Sequence, residues 1–356
     1  MPDFGFDVFV LLGAGLLLGA LTSLIVLPLC KPLGLIDHPG TALHKQHARP
    51  TPLAGGLVIL ATLIVLLLIF PALLNPPMCG AVLAGAVILG FGLWDDIAGL
   101  SAGVKFVGQF AAAGIAIASG IRIEFLGDVL PGWSFVSDIL NLALTVFWLV
   151  GVTNAFNLID SMDGIVAGLS ALTAAFFLLV TIESGQAILT RWTAILTGIS
   201  LALYFWNSPP ARYFLGDSGA QTLGFLLAVL ALLYNPVDKP PASSWFAPIL
   251  MLGLPIFDTS LVVFSRLRRH LHPFKGNRDH TYHRLMQAGI PSGRAVSLLH
   301  LAALTLDIFA ILAISLPPLA SNFIYFACLL SGGVLVVFLD YNRLFISQPH
   351  DNLEKK

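Results

Sequence analysis

The chain alternates long apolar runs with short polar interruptions. A helix needs roughly 20 mostly apolar residues to cross a bilayer core. Eleven runs approach or reach that length: 9–29, 53–74, 79–94, 104–119, 139–155, 164–182, 187–206, 218–233, 245–264, 295–314 and 320–339. They predict an all-α polytopic membrane protein of about eleven transmembrane helices. One connection differs in pattern. Ile121-Arg122-Ile123-Glu124-Phe125 alternates with period two, which predicts a small surface strand or hairpin within 120–137. No internal repeat or low-complexity linker divides the chain, so a single membrane domain over 1–356 is expected, with a tail at 340–356.

Composition sharpens this picture. Charged residues make up 10% of the chain and hydrophobic residues 57%, whereas an ordinary soluble domain is roughly 25% charged. Too little polar surface remains to face water, which excludes a soluble globule, a disordered chain and a nucleic-acid binder. Where the charges sit says more than their net value of -1. With eleven spans the connections alternate between two faces, and only Arg122, Arg191 and Lys239 of the 18 Lys and Arg residues fall on one of them. The positive-inside rule makes the other face cytoplasmic, with the N-terminus outside and the C-terminus inside. Asp3 and Asp7 precede the first basic residue, Lys31, so the first span lacks the basic flank of a cleavable signal peptide and is expected to stay. Cys30, Cys79 and Cys328 are odd in number and far apart, and offer neither a disulfide framework nor a metal knuckle.

The expected cytoplasmic loops hold most of the chemistry. They carry His44-Lys45-Gln46-His47-Ala48-Arg49 ahead of Gly55-Gly56, then Trp94-Asp95-Asp96, then Asn154-Ala155-Phe156-Asn157-Leu158-Ile159-Asp160-Ser161-Met162-Asp163-Gly164. Phe214-Leu215-Gly216-Asp217-Ser218-Gly219 and a basic stretch from Arg266 to Arg284 follow. Each piece alone has a structural account: Asp160, Asp163 and Asp217 stand where carboxylates cap helices, and the basic loop could be topogenic or lipid-binding. Together they say more. Asp95, Asp96, Asp160, Asp163 and Asp217 lie on short loops at one end of a helix bundle, where crowded like charges are costly. A divalent cation relieves that cost, and hard oxygen ligands without thiolates point to Mg2+, with Mn2+ second. Lys45, Arg49, Arg212, Arg278 and Arg284, with His47, His280 and His283, suit phosphate oxygens. Acids, metal and a basic loop are how phosphoryl-transfer sites are built.

These stretches resemble the polyprenyl-phosphate N-acetylhexosamine-1-phosphate transferases of glycosyltransferase family 4. The similarity runs through 45–56, Gly92-Leu93-Trp94-Asp95-Asp96, 154–164, 214–219, Pro255-Ile256-Phe257-Asp258-Thr259 and the region of His280, in the family's order over about 37–289. It looks closest to the enterobacterial-antigen and teichoic-acid initiating branch, because the Pro-Ile-His-His-His-Phe-Glu type loop of the phospho-MurNAc-pentapeptide translocases is missing. The branch pattern Asp-Arg-x-His-x-His-His reads here Asn277-Arg278-Asp279-His280-Thr281-Tyr282-His283. That departure falls in the loop where the family sorts nucleotide sugars.

The resemblance implies that a polyprenyl phosphate, undecaprenyl in most bacteria, attacks the β-phosphorus of a UDP-N-acetylhexosamine in the plasma membrane, releasing UMP. It implies Asp217 and Asn157 as the metal side of the site. Asp95, Asp96, Asp160 and Asp163 would form the catalytic set, with Asp95 and Asp96 near the lipid phosphate. Lys45, His47, Arg49, Asn154, Asn157, Asp258, Arg278, His280, His283 and Arg284 would be substrate contacts. It also leaves room for a homodimer. A phosphate monoester has a second pKa of about 6, so the nucleophile needs little deprotonation, and orienting it or assisting the metal suits an aspartate better. For Asp258, inside an apolar run, a hydrogen bond to a neighbouring helix is the quieter option. The competing class is a proton-coupled transporter, with His300 and Asp307 as a relay on one helical face. Against it, nearly all polar residues lie at one end rather than at the bilayer midplane.

Overall fold

The computed structural model describes residues 2–39, 49–129, 132–236, 239–271 and 279–342. In chain order its elements are α1 (Pro2–Cys30), β1 (Ile36–Asp37), β2 (Thr51–Pro52), α2 (Gly55–Ile69), a 3-10 turn (Pro71–Leu73), α3 (Pro76–Ala98), α4 (Ala102–Ala118), α5 (Leu126–Val129) and α6 (Ser134–Ile159). There follow α7 (Ile165–Glu183), α8 (Ala187–Asn207), α9 (Gly216–Leu233), α10 (Pro241–Ser244), α11 (Ala247–Met251), α12 (Gly253–Arg268), α13 (Thr281–Gln287), α14 (Ser292–Ile314) and α15 (Pro318–Tyr341). The protein is an all-α polytopic membrane protein.

Among the described residues, eight helices are long and apolar enough to cross a membrane, and α2 and α4 are shorter apolar helices at the expected second and fourth runs. The ninth run, 245–264, is not one helix. It breaks at Leu252 into α11 and α12. Pro248 and Pro255 flank that point, and a proline both lacks an N–H and crowds the preceding turn. The Thr173 hydroxyl donates to the Met251 carbonyl at 3.1 Å, satisfying an acceptor next to the break. Inside a bilayer such repair by a neighbouring helix is what makes an interruption tolerable.

The strand expected within 120–137 is replaced by the short helix α5. Ile123 N–H donates to Thr145 Oγ1 at 2.9 Å and Leu126 N–H to Asn141 Oδ1 at 3.4 Å. Polar side chains of α6 thus take the donors that a partner strand would have taken. The two-stranded pairing lies elsewhere, in the loop after α1, where Ile36 pairs with Pro52 and Asp37 with Thr51, antiparallel.

Helices α7, α8 and α9 form the interior, with most of their side chains buried, while α15 is largely exposed. Backbone bonds fasten the first loop to the start of α9: Phe214 N–H donates to Pro52 O at 2.8 Å, and Ala54 N–H to Phe214 O at 3.1 Å. The acid-bearing ends of α3, α6 and α9 are thereby gathered at one end of the bundle.

Candidate active site

The centre of the site is the first turn of α9. Gly216 opens it at φ +71, a left-handed conformation that glycine adopts without strain, and a Cβ there would lie 2.6 Å from Asp96 Oδ2. Asp96, on the last turn of α3, caps this turn from another helix. Its Oδ1 accepts from Asp217 N–H at 2.7 Å, and its Oδ2 from Ser218 N–H at 3.1 Å and the Ser218 hydroxyl at 2.6 Å. Gly92 makes the approach possible, since a Cβ there would meet Ser218 Cα at 2.4 Å. The free N–H groups of a helix start are thus satisfied by a carboxylate that also complements the helix dipole.

Asp217 itself points into a ring of donors. Its Oδ1 accepts from Asn157 Nδ2 at 2.8 Å and its Oδ2 from Lys105 Nζ at 2.6 Å. Lys105, in the first turn of α4, is also ion-paired with Asp95. Asp95 further accepts from Leu100 N–H at 2.5 Å. Behind this ring, Gln109 and Asn154 exchange amide bonds at 3.2 and 2.6 Å, and Gln109 donates to Gln221 at 3.1 Å. The spacing of Asn154 and Asn157, three residues apart on one helix face, lets α6 serve both layers.

Asp160 and Asp163 close the near side. Asp160 is the C-terminal cap of α6. Desolvation, and then the charges of Asp217, Asp96 and Asp163, hold its carboxyl well above the ordinary carboxylate range. Asp163 accepts from Ala211 N–H at 3.0 Å and so ties down the loop leading to α9. Among the described residues, Lys105 is the ammonium that pairs with these carboxylates, through Asp95 and Asp217.

A second group, on α12 and α13, flanks the acids. Asp258 Oδ2 faces His280 Nδ1 at 2.7 Å, and Oδ1 accepts from Thr281 N–H at 2.7 Å. The His280 and His283 rings lie 6.4 Å apart. Burial, then the Asp163 carboxylate, push the Tyr282 phenol up to about 12, which sets this arm within the field of the acid cluster.

The model of glycosyl transferase family 4 matches residues 78–235, the stretch that holds Asp95 through Asp217. A probable undecaprenyl-phosphate N-acetylglucosaminyl 1-phosphate transferase of Bacillus subtilis is 30% identical over 325 residues, 90% of this chain and 87% of that protein. The chain belongs to glycosyl transferase family 4. Two other similar proteins are an undecaprenyl-phosphate alpha-N-acetylglucosaminyl 1-phosphate transferase of Escherichia coli K12, 30% identical over 292 residues (80% of this chain, 77% of that one), and a decaprenyl-phosphate N-acetylglucosaminephosphotransferase of Mycolicibacterium smegmatis, 29% identical over 283 residues (72% and 70%).

For a family 4 protein, the expected site residues do not all meet in one place, and His280 and His283 lie on the flanking arm. Asp95, Asp96, Asn154, Asn157, Asp160, Asp163 and Asp217 come together in one cluster. Lys45, His47 and Arg278 lie outside the described residues, and Arg49 is exposed just before β2. Asp258 and Arg284, expected as substrate contacts, are buried and engaged by protein. The Arg284 guanidinium donates to Asp279 O at 2.8 Å, Leu339 O at 2.7 Å and Ser265 Oγ at 2.8 Å, which makes it a tie between α12, α13 and α15 rather than a phosphate clamp. Lys105 is the residue that motif reading missed. Its one signal was to be the only charge in the run 104–119.

The transporter relay does not form a unit. His300 Nε2 meets the Ile165 carbonyl at 3.2 Å and stacks edge-on with Tyr204, while Asp307, fully buried, has no hydrogen-bond partner among the described residues. Nor do any three His, Cys, Asp or Glu side chains among the described residues converge as a ready-made metal cage. Mg2+ needs no such cage, since it is held by one or two carboxylates plus substrate phosphates and water. Asp217 and Asp95, with the Asn157 amide beside them, offer a hard-oxygen set.

Proposed function

We propose that this chain transfers N-acetylhexosamine 1-phosphate, with GlcNAc 1-phosphate the first choice, from a UDP-sugar to a polyprenyl phosphate. A phosphate oxygen of the lipid forms the new bond to the β-phosphorus. The bond from that phosphorus to the bridging oxygen breaks, and UMP leaves with the electron pair. The observation that carries this reading is the Asp217 carboxylate, bonded to Asn157 and Lys105 and facing Asp95 at one end of a membrane bundle. The names of the Bacillus, Escherichia and Mycolicibacterium relatives support the same transfer.

Within this reading, Asp217, with Asp95 and Asn157, would hold Mg2+, which when bound neutralises diphosphate charge. Lys105 keeps Asp95 and Asp217 together as a preorganised pair and supplies fixed positive charge beside the phosphates. Asp96 orders the α9 start that presents Asp217. Asp160 and Asp163 shape the nucleotide side. The charge asymmetry of the loops argues for a cytoplasmic site in a bacterial plasma membrane, where a soluble nucleotide sugar meets a membrane-bound lipid.

The test is direct. Sealed vesicles carrying the protein in either orientation, given UDP-GlcNAc, polyprenyl phosphate and Mg2+, are expected to release UMP only when the acid cluster faces the added nucleotide. Asp217→Asn is expected to lose at least about a hundredfold in rate, the scale of removing one electrostatic element of a transition-state site, at normal abundance in the membrane. No UMP from any UDP-N-acetylhexosamine, or a fully active Asp217→Asn, refutes the assignment.

A further inference from the structure

Asp258 offers nothing directly to a substrate. It sits in the second turn of α12, fully buried, and both of its oxygens are taken by the entrance to α13. Oδ1 accepts from Thr281 N–H and Oδ2 faces His280 Nδ1, each at 2.7 Å. A carboxylate in its ionised form only accepts, so the Oδ2 contact requires the proton of His280 to be on Nδ1. The hydrogen bond made by one imidazole nitrogen fixes the state of the other. In the neutral ring, Nε2 is then the lone-pair nitrogen, on a side chain only 9% exposed.

The backbone on either side of that ring is immobilised as well. Asp279 receives Arg266 Nε at 3.2 Å and the Arg269 guanidinium at 2.7 Å, while its carbonyl receives Arg284 Nε at 2.8 Å. Residues 279, 280 and 281 are thus each held by a separate bond. Asp258 lies on α12, which packs against α6, the helix that ends at Asp160, so the fixed imidazole is held by an element beside the acid cluster.

We infer that Asp258 is a positioning residue that holds His280 in its Nδ1-protonated tautomer and presents Nε2 as a hydrogen-bond acceptor to an N–H or O–H of the sugar nucleotide. This rests on the transferase reading above. The arrangement has the logic of any buried carboxylate behind a working imidazole, in which the acid sets tautomer and aim rather than touching the substrate. It also accounts for an acid placed inside an otherwise apolar run, where a charge without a specific partner is costly.

The experiment is a double-mutant cycle on the full-length protein, with histidine 15N spectra. Asp258→Asn keeps an acceptor for Thr281 but no longer dictates the His280 tautomer. It is expected to lower kcat/KM for UDP-GlcNAc by about 10- to 100-fold, the usual scale for a supporting partner, with KM for polyprenyl phosphate unchanged. His280→Ala is expected to lose a comparable factor, and the double variant no more than His280→Ala alone, because residues acting through one another are non-additive. Asp258→Glu, which keeps the carboxylate, is expected to recover part of the loss. In the 15N spectrum, the Nδ1-protonated signal that vanishes in His280→Ala is expected to be altered in Asp258→Asn. Independent, multiplicative losses in the double variant, or an unaltered His280 signal in Asp258→Asn, overturn the inference. If the wild-type protein itself releases no UMP, the transferase reading has failed, and the spectrum still decides whether Asp258 sets the tautomer.

Discussion

Asp160 is where the crowding of carboxylates is felt most strongly in a single group. In the unfolded chain it titrates in the ordinary carboxylate range, and in the fold desolvation and the neighbouring acids raise it. Its contribution to stability is therefore fully present below the ordinary range and is lost as pH rises through the raised folded value. In chelator, the melting temperature of the detergent-purified protein is expected to fall as pH rises above the ordinary carboxylate range, and added Mg2+ to restore part of the loss. Asp160→Asn is expected to flatten that slope, and an unchanged slope in the variant would exclude this origin. At this scale the sequence foretold which side chains meet where a motif carried them, as for Asp217 and Asn157. Lys105 was not, because a single lysine near the start of an apolar run looks like an interfacial anchor until its ammonium is seen to reach Asp217 on α9. Arg284 misled for the opposite reason. Residue type suggests a phosphate ligand, but only packing reveals that its donors are tied to Asp279, Ser265 and Leu339.

Among the elements, α9 depends most on its neighbours. Its N–H groups are capped from α3, and the two backbones touch where Gly92 meets Ser218. Gly92→Ala would place a methyl group 2.4 Å from Ser218 Cα, so the helices must part. Overpacking of this kind costs about 1–3 kcal/mol. The expected outcome is a lowered melting temperature together with a loss of transfer larger than stability explains, since Asp217 moves with α9. Gly90→Ala, with open space around its Cβ, is the control expected to leave both unchanged. Hydrophobic run length located ten of the eleven expected helices, from α1 to α15. It failed at 245–264 because a count of apolar residues does not register what Pro248 and Pro255 do to hydrogen bonding. The alternation in 121–125 failed similarly, since it could not know that Thr145 and Asn141 would supply the acceptors.

The whole molecule assembles its site from distant parts of the chain: Asp95 and Lys105 first, Asn157 to Asp163 later, then Asp217, and last the α12–α13 arm. A membrane protein is threaded into lipid in that same order, so each acid must be tolerated before its later partners exist. The Asp95–Lys105 ion pair joins the ends of consecutive helices across a three-residue turn, residues 99–101. It can therefore close as soon as α3 and α4 enter the bilayer, delivering the hairpin with one acid already neutralised while Asp217 is still to be synthesised. Lys105→Met is accordingly expected to reduce the amount of inserted protein severalfold, as a defect of 1–2 kcal/mol does in cells (an order-of-magnitude figure, about that of common destabilising changes). Asp95→Asn added to it is expected to restore abundance but not transfer. Equal abundance of all three proteins would deny the pair this role. If abundance responds as expected, the contact that organises the finished site doubles as a chaperone-like safeguard during biogenesis, escorting a carboxylate through the stage at which it has no other company.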